Sequence, residues 1–373
     1  MKKTRNFKYT DMDFVLIALS LVCAVFGLVM ISSAVNSMDG GSNYIIIQTV
    51  AMVLGIIMML ILTTIDYENL GNITKIIYIG CILLLVAVLV VGTGREDVGS
   101  KSWIRFGPIG IQPSEFVKIG FIITFSKHAA SVKDEINRPK NIFLLCLHLL
   151  IILGLIMLQP DFGTAMVFTV IFIGIMFVSG ISYKYILTAV GAIVAAVPLA
   201  WNFFLQDYQK NRILVFLNPE SDPLGSGYHV IQSKIAIGSG QIFGKGLYQG
   251  TQTQLGYLPV KHTDFIYAVV GEELGLIGCV IVAALLFAIV FRCIYNSKVA
   301  KNDFSSNICI GVACMFMAHI FENIGMCVGL MPVTGIPLPF FSYGGSSLIT
   351  NFVAIGLVLS TYMRRREITF DNG

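Results

Sequence analysis

The sequence is poor in charge: Asp, Glu, Lys and Arg make up only 12% of its 373 residues, whereas hydrophobic residues make up 56%. This composition excludes a soluble domain and indicates a protein of the lipid bilayer. No Gly-x-x-x-x-Gly-Lys-Ser/Thr phosphate-binding loop is present, so a nucleotide site is not expected. The eight cysteines include no Cys-x-x-Cys pair, so neither a zinc site nor a disulfide framework is indicated, and the net charge of +4 does not imply nucleic acid as a partner.

Long apolar runs are abundant, and a helical membrane span needs about 17–25 such residues. We therefore predict an all-α, polytopic membrane protein with about ten transmembrane helices, forming one membrane domain over residues 1–373. The runs are approximately Phe14–Ile31, Tyr44–Thr63, Ile76–Val91, Ser114–Ala130, Ile142–Leu158, Gly163–Ser179, Tyr183–Trp201, Phe265–Ile294, Ile308–Leu330 and Ser346–Met363.

Basic residues in the loops predict the orientation of the chain. Four of them precede the first run, which we interpret as a retained signal anchor, and Arg364–Arg366 follow the tenth, so both termini are expected in the cytoplasm. The large loop, residues 202–263, then lies outside the cell, and residues 229–238 within it are expected to form a short amphipathic helix on the membrane surface. Cations in the outer loops indicate an anionic ligand there, with solvated loop charge as the alternative.

Two short motifs place carboxylates where predicted helices begin. In "QPSEFVK", residues 112–118, Glu115 and Lys118 stand three apart on one helix face, and "QPDFG", residues 159–163, contains Asp161. An ionisable group at membrane depth is a functional-site hypothesis by default. The structural alternatives are a self-neutralising pair and a helix cap.

The segment "KHTDFIYAVVGEELG", residues 261–275, carries four ionisable groups beside an apolar helix. Asp264 lies where the large loop meets the eighth helix, and in an extended chain His262 points the same way. Glu272 is expected on the same side of the helix as Asp264, and Glu273 on the other. A partly desolvated carboxylate at a lipid–water edge has the environment of a general base, and an N-cap role for Asp264 is the alternative.

The segment "MPVTGIPLPFFSYGGSS", residues 331–347, contains three prolines in eight residues, which forbid a regular helix. Irregular backbone at membrane depth is tolerated where it is buried in protein or lines a wet cavity, and a helix N-terminus suits phosphate. Just before it, "HIFEN" places His319 on one helix face with Glu322 or Asn323. The polar residues thus gather at the outer halves of helices four, six, eight and ten, which predicts a cavity for an amphiphile with a polar head and an apolar tail.

The ordered motifs "QPSE", "QPDFG", "GKG…QTQLGYLPVKHTDFIYAVVGEELG" and "GIPLPFFSYGGSS" resemble the shape, elongation, division and sporulation (SEDS) family of bacterial membrane proteins. The resemblance runs from about Asp13 to Arg366 and is closer to the rod-shape branch than to the cell-division branch. It implies a ten-helix peptidoglycan glycosyltransferase that polymerises lipid II outside the cytoplasmic membrane, for cell elongation and rod shape. In "HIFEN", only Asn323 is carried over.

The resemblance also implies residue roles. Asp264 matches the essential aspartate of the outer loop, which would take the proton from the acceptor's sugar hydroxyl in an inverting displacement. Further positions implied for substrate binding are Glu115, Lys118, Asp161, Arg212, His262, Ser342, Gly344, Gly345 and Ser346. Arg105, Lys118 and Arg212 are the candidates for contacting the pyrophosphate of the donor.

Lipid II is a polyprenyl pyrophosphate that brings its own leaving group, which accounts for the missing nucleotide site. Family precedent allows a divalent cation, Mg or Mn, as cofactor. The implied partners are a class B penicillin-binding protein transpeptidase and other membrane proteins of the elongation complex. A lipid II flippase and a non-catalytic scaffold are the alternatives.

Overall fold

The structure, a computed structural model, describes residues 11–93, 102–106, 109–188, 191, 210, 214–222 and 225–365. The helices bounded within these residues are α1 Phe14–Val35, α2 Gly41–Thr64, α3 Tyr67–Asn72, α4 Thr74–Val91, α5 Pro113–Ser131, α6 Pro139–Met157, α7 Phe162–Val178, α8 Ser226–Gly240, α9 Thr251–Gln254, α10 Ile266–Lys298, α11 Asp303–Val328 and α12 Gly345–Met363. The strands β1 Ile104–Phe106 and β2 Ile109–Ile111 pair antiparallel between α4 and α5. The predicted fold class, an all-α polytopic membrane protein, is confirmed.

The predicted spans correspond to observed helices within a few residues at each end. Seven helices of the described chain, α1, α2, α4, α6, α10, α11 and α12, are long and apolar enough to cross a membrane. The apolar α7 has 17 residues, one fewer than α4, which is the shortest of these seven helices. α5 is 19 residues long and carries a buried ion pair. The seventh predicted run, Tyr183–Trp201, is helical at residues 183–188 and 191, and its remainder lies outside the described residues.

The centre of the bundle is formed by the least apolar spans. Most of α11 and α12 is buried, whereas only 22%, 17% and 22% of the spans in α2, α4 and α6 is buried. This order is the reverse of a soluble fold, because lipid solvates apolar side chains while polar groups need partners inside the protein. The polar helices α5, α11 and α12 therefore lie where the candidate site is built.

Gly27 allows α1 to approach residues 331–347, which we call the proline-rich segment. A Cβ atom at this position would stand 2.2 Å from the carbonyl oxygen of Phe340, so no other residue fits without displacing the segment. Leu338 to Ser342, the part of the proline-rich segment next to this contact, is buried inside the bundle.

The eighth predicted run is broken in the structure by part of the large loop. Within α10, Gly275 has φ 66° and ψ −163°, outside the helical region. The freed amides of Leu276 and Ile277 donate instead to the carbonyls of Gln241 and Ile242, at 2.8 and 3.2 Å. Residues 241–246, which we call the loop insert, thus substitute for a missing turn of the helix.

The large loop also contains the helix expected at residues 229–238, which forms as the longer α8. One face of α8 is buried against α10 and α11, and the Ser233 hydroxyl donates to the Cys327 carbonyl at 2.7 Å. This helix of the large loop is therefore packed onto the bundle.

Candidate active site

Asp264 lies in the turn that precedes α10 and is partly buried. The N-cap of α10 is Phe265, which makes no side-chain capping bond, so Asp264 does not serve as the cap. Its backbone carbonyl accepts a hydrogen bond from Asn323 at 2.8 Å, which ties the turn to α11. Burial raises the pKa of the Asp264 carboxyl to about 6, against the opposing effect of a hydrogen bond with Thr263.

The proline-rich segment supports the turn from the other side. The Ser342 hydroxyl donates to the Thr263 carbonyl at 2.6 Å and accepts from the Leu338 amide at 2.7 Å. The Tyr343 amide donates to the His262 carbonyl at 2.8 Å. Three consecutive residues of the turn, 262–264, therefore have their carbonyls bonded to other elements, which fixes the backbone that carries the carboxylate.

His262 is adjacent to Asp264 in sequence, but the expectation of an extended chain is wrong. Residues 260–265 form successive turns, so the alternation argument for a shared side does not hold here. The His262 ring instead packs edge-on against Tyr44 and lies beside Tyr343, with centroids 5.0 and 5.6 Å away. Burial and the Lys261 charge lower the pKa of the His262 imidazole, which favours its neutral form.

Glu115 and Lys118 form the predicted ion pair, and it is almost fully buried. The Lys118 Nζ–Glu115 Oε1 distance is 2.8 Å, and the side chains are 1% and 3% exposed. The Lys118 ammonium also lies 2.7 Å from Nε2 of His319, whose Nδ1 lies 3.1 Å from the Pro337 carbonyl oxygen. The pair is therefore part of a buried chain of polar contacts between α5, α11 and the proline-rich segment.

Asp161 both caps α7 and belongs to the same polar region. Its carboxylate accepts hydrogen bonds from the Thr164 amide at 3.1 Å and the Thr164 hydroxyl at 2.8 Å, and Gln112 approaches at 3.4 Å. Burial raises the pKa of Asp161, while Thr164 and the Lys118 charge oppose that rise. The structural and functional interpretations of "QPDFG" are thus compatible.

The "SYGGSS" residues position the start of α12. The Gly344 amide donates to the side chain of Gln48 at 3.1 Å, and Gly345 begins the helix. The Ser346 hydroxyl accepts from the Gln112 amide at 3.3 Å, so α12 and α5 begin side by side. Ser342 and Ser346 are engaged in backbone contacts, and their expected roles in substrate binding stay predictions.

Only one of the two arginines proposed to contact the pyrophosphate, Arg105, lies within the described residues. Arg105 lies on β1, is exposed, and faces Gly110 in the strand register. Arg212 lies outside the described residues, so its proposed contact with a pyrophosphate stays a prediction.

Glu272 and Glu273 are not grouped with Asp264, contrary to the expectation for Glu272. Both side chains are fully buried. Glu272 accepts hydrogen bonds from Lys245 at 2.9 Å and from the Gln252 and Thr253 amides, and Glu273 accepts from Ser33 at 2.7 Å. These carboxylates attach the large loop to α10 and α1.

Glu322 is a buried carboxylate near Lys118, and the family resemblance assigned it no role. It is 2% exposed, and neither carboxylate oxygen has a hydrogen-bond donor at bonding distance among the described residues. Its electrostatic neighbours are Thr334, Lys118 and Asp161. Sequence reasoning also missed the roles of His319 and Gln48; the position of His319 three residues before Glu322 was the only available signal.

A cavity of about 310 Å³ opens beside the Asp264 turn. Its polar lining includes Ser37, Gln254, Lys261 and His262. Burial lowers the pKa of the Lys261 ammonium, although Glu273 and Glu272 oppose that effect. Two of these lining residues, Lys261 and His262, precede Asp264 by three and two positions in the chain.

The expectation of a divalent cation stays a prediction, because the described residues do not gather the side chains of a preformed metal site. No group of three or more His, Cys, Asp or Glu side chains among them is arranged to hold an ion. Two acidic residues of the polar region, Glu115 and Asp161, are bonded to Lys118 and Thr164. No step of the mechanism below therefore depends on a metal.

Chemically, the arrangement combines a partly buried carboxylate on a rigid turn with a buried ammonium supported by neighbouring polar groups. The first has a pKa of about 6, which suits a general base near neutral pH. The second is a fixed cation of the kind that binds phosphate oxygens. Both occur at the same end of the bundle, since α5, α7, α10 and α12 all begin there.

Comparisons with known proteins give one result for the whole chain. Residues 13–367 match the FtsW, RodA and SpoVE family, described as cell cycle protein. The peptidoglycan glycosyltransferase MrdB of Escherichia coli K12 is 37% identical over 363 residues, covering 97% of this chain and 95% of MrdB.

Two solved structures resemble the fold closely. A chain in a structure described as coordinating polymerization and crosslinking by a peptidoglycan synthase complex superposes with a TM-score of 0.82 at 30% identity, covering 95% of this chain and 99% of that one. The rod shape determining protein RodA of Thermus thermophilus gives a TM-score of 0.72 at 27% identity, covering 96% and 99%.

Proposed function

The chain belongs to the FtsW, RodA and SpoVE cell cycle protein family, and from this premise we propose that it polymerises lipid II at the outer face of the cytoplasmic membrane, with Asp264 as general base. The enzyme class, a peptidoglycan glycosyltransferase, is that of its relative MrdB, which matches nearly the full chain. Cell elongation is the proposed setting, because MrdB and RodA are among its relatives.

The observation that carries the proposal is the placement of Asp264. Its carboxylate is partly buried, has a pKa of about 6, and stands on a turn bonded to α11 and the proline-rich segment. A base of that pKa is largely ionised at neutral pH and remains basic enough to take a proton as a hydroxyl becomes a nucleophile.

In the proposed reaction, the acceptor's sugar 4-hydroxyl attacks the anomeric carbon of the donor. The new C–O bond forms as the bond to the pyrophosphate breaks, and the hydroxyl proton passes to Asp264. A single displacement inverts the anomeric configuration. Lys118 would bind the pyrophosphate of the donor and offset its charge both before and during its departure, as a fixed cation does in a low-dielectric site.

The polar residues that support this proposal crowd one end of the bundle. At the opposite end, several ion pairs of the described side chains, such as Lys133–Asp303 and Lys301–Glu68, are exposed, and Asp13 is buried against Arg292. The loop charges of the sequence support an orientation with the site end outside the cell and both termini inside. This distribution favours synthesis at one face over transport across the membrane.

The decisive experiment replaces Asp264 by Asn in the full chain and measures polymer formation from labelled lipid II. Positioned base catalysis contributes about 10²–10⁴-fold, so Asp264→Asn is expected to lose at least 100-fold in rate. Asp134→Asn, an exposed acid at the opposite end, is the matched control.

Running the assay in detergent separates synthesis from translocation, which has no meaning without two compartments. Polymer made by the wild-type chain in detergent supports the glycosyltransferase and excludes a pure flippase or scaffold. Polymer made by Asp264→Asn at the wild-type rate removes Asp264 from the role of base.

We further propose a class B penicillin-binding protein as partner. The support is that a closely similar chain comes from a structure of a peptidoglycan synthase complex coordinating polymerization with crosslinking. Co-purification of the full chain with its transpeptidase from membranes, and loss of the pair on deleting the transpeptidase's membrane helix, is the expected result.

A further inference from the structure

His319 is a buried histidine that connects two parts of the site. It lies on α11 and is 2% exposed. Its Nε2 atom is 2.7 Å from the Lys118 ammonium on α5, and its Nδ1 atom is 3.1 Å from the Pro337 carbonyl oxygen in the proline-rich segment. A single ring therefore spans three elements.

The two partners determine which ring nitrogen carries the hydrogen. A carbonyl oxygen can only accept a hydrogen bond, so Nδ1 must donate to Pro337. An ammonium can only donate, so Nε2 must accept from Lys118. The ring is accordingly the neutral tautomer with its hydrogen on Nδ1, and both of its bonds are satisfied at once.

Lys118 is oriented by this contact. Its ammonium has three hydrogens, and among the described residues it donates to Glu115 Oε1 at 2.8 Å and to His319. Two fixed acceptors determine the direction of the third N–H group. That group has no hydrogen-bond acceptor within the described part of the chain, and because the side chain is 1% exposed, a ligand oxygen that binds it must enter the buried region between α5 and α11.

The other side of the ring connects to the Asp264 turn. One residue after Pro337, the Leu338 amide donates to the Ser342 hydroxyl, which donates in turn to the Thr263 carbonyl. A displacement of the proline-rich segment would therefore move the Lys118 ammonium and the backbone beside Asp264 together.

We propose that His319 is a positioning residue for the donor substrate: it holds the Lys118 ammonium in place for the donor's pyrophosphate and ties it to the segment that supports Asp264. This inference rests on the proposed function. It assigns a role to His319, which lies outside the motifs from which that function was inferred. His319 acts through Lys118 and does not itself contact the substrate.

Four variants of the full chain test the proposal in the lipid II assay. His319→Phe keeps a ring of similar size but removes both bonds. His319→Gln keeps one donor and one acceptor at a spacing close to that of the imidazole nitrogens, whereas the shorter His319→Asn does not reach both partners. His148→Gln is the matched control, because His148 bonds Thr124 and His128 elsewhere in the bundle.

The expected result is a change in KM more than in kcat. A group displaced by about 1 Å can cost of the order of 10²-fold, so His319→Phe and His319→Asn should raise the KM for lipid II roughly 10- to 100-fold. His319→Gln should stay within a few-fold of the wild type, and His148→Gln should match it. A wild-type KM for His319→Phe, or equal impairment of His319→Gln and His319→Phe, overturns the proposal.

A binding measurement covers the case in which a variant folds but is inactive. Undecaprenyl pyrophosphate, the leaving group, is titrated into the wild type, Lys118→Ala, His319→Phe and the double variant in detergent, with folding checked by thermal unfolding. If His319 acts through Lys118, its loss weakens binding in the wild type and has no further effect in Lys118→Ala. Additive losses contradict the role. Failure of the wild type to polymerise lipid II at all would instead refute the proposed function.

Discussion

The surroundings of one residue, Asp264, determine the pH at which its carboxyl loses its proton. Burial raises its pKa, and the Thr263 hydrogen bond limits the rise, so the carboxyl titrates near pH 6 instead of near 4. The sequence placed this carboxylate at the boundary of loop and helix. The size of the effect depends on the packing of the proline-rich segment, which the local sequence does not reveal.

The raised pKa of Asp264 predicts a pH dependence of the rate. Below about pH 6 the carboxyl is protonated and cannot accept a proton, so the initial rate should fall about tenfold per pH unit and level off above pH 7. Initial rates of lipid II polymerisation from pH 4.5 to 8 measure this. His262→Gln serves as control: the acid limb should persist in it, since that limb belongs to Asp264. A limb that disappears in His262→Gln would assign it to the histidine.

Glu115 and Glu322 are two buried carboxylates with different partners, and they should respond differently to the loss of charge. Glu115→Gln removes the partner of the buried Lys118, which costs about 3–5 kcal/mol and should lower the unfolding temperature by several degrees. Glu322→Gln removes a carboxylate that has no bonded donor among the described residues, so the unfolding temperature should be equal or higher. Thermal unfolding in detergent measures both. The opposite order would show that Glu322 has a strong partner in the folded protein.

The individual elements were predicted well where apolar length decided the outcome. The first and second runs correspond to α1 and α2 within a few residues, and the proline-rich segment is irregular as its prolines require. The break in α10 was not predicted, because it depends on a loop insert more than thirty residues earlier in the chain. For the same reason Glu272 was expected near Asp264, although its partners Lys245 and Thr253 come from the large loop.

The break in α10 requires glycine at position 275, and a substitution there tests this requirement. A Cβ atom there would stand 2.4 Å from the Gly244 amide nitrogen, and its φ of 66° is strained for other residues, so Gly275→Ala should cost more than about 1–3 kcal/mol. Gly154→Ala in α6 is the control, since its Cβ would meet nothing within 4 Å. The midpoints of thermal unfolding should fall for Gly275→Ala and stay constant or rise for Gly154→Ala. Equal midpoints would mean that the loop insert yields easily.

For the whole molecule, the two ends of the bundle differ in the exposure of their ion pairs. The site end contains the buried Glu115–Lys118 pair, whereas the opposite end contains exposed pairs such as Arg138–Glu135, together with a buried Asp13 bonded to Arg292. Composition and loop charge alone predicted a membrane bundle with a polar outer half. They could not show that α11 and α12 form its centre, because burial between helices depends on packing partners.

The orientation of the molecule can be measured by cysteine labelling. Leu255→Cys, on the exposed part of the large loop, should react with a membrane-impermeant maleimide in intact spheroplasts. Arg138→Cys, exposed at the opposite end, should react only after permeabilisation. The native cysteines of the described chain are buried or partly buried, so the unsubstituted protein serves as the background control. Reversed labelling would place the site in the cytoplasm and contradict the proposed function.

The loop insert at Gly275 has a consequence for anyone who builds hybrids between this enzyme and its relatives. Two backbone amides of α10 are paired only because Gln241 and Ile242 supply their acceptors. A hybrid that takes the large loop from one protein and α10 from another would lose these acceptors. The two amides would then lack hydrogen-bond partners in the hydrocarbon. The smallest transplantable piece is therefore the loop together with the helix it completes.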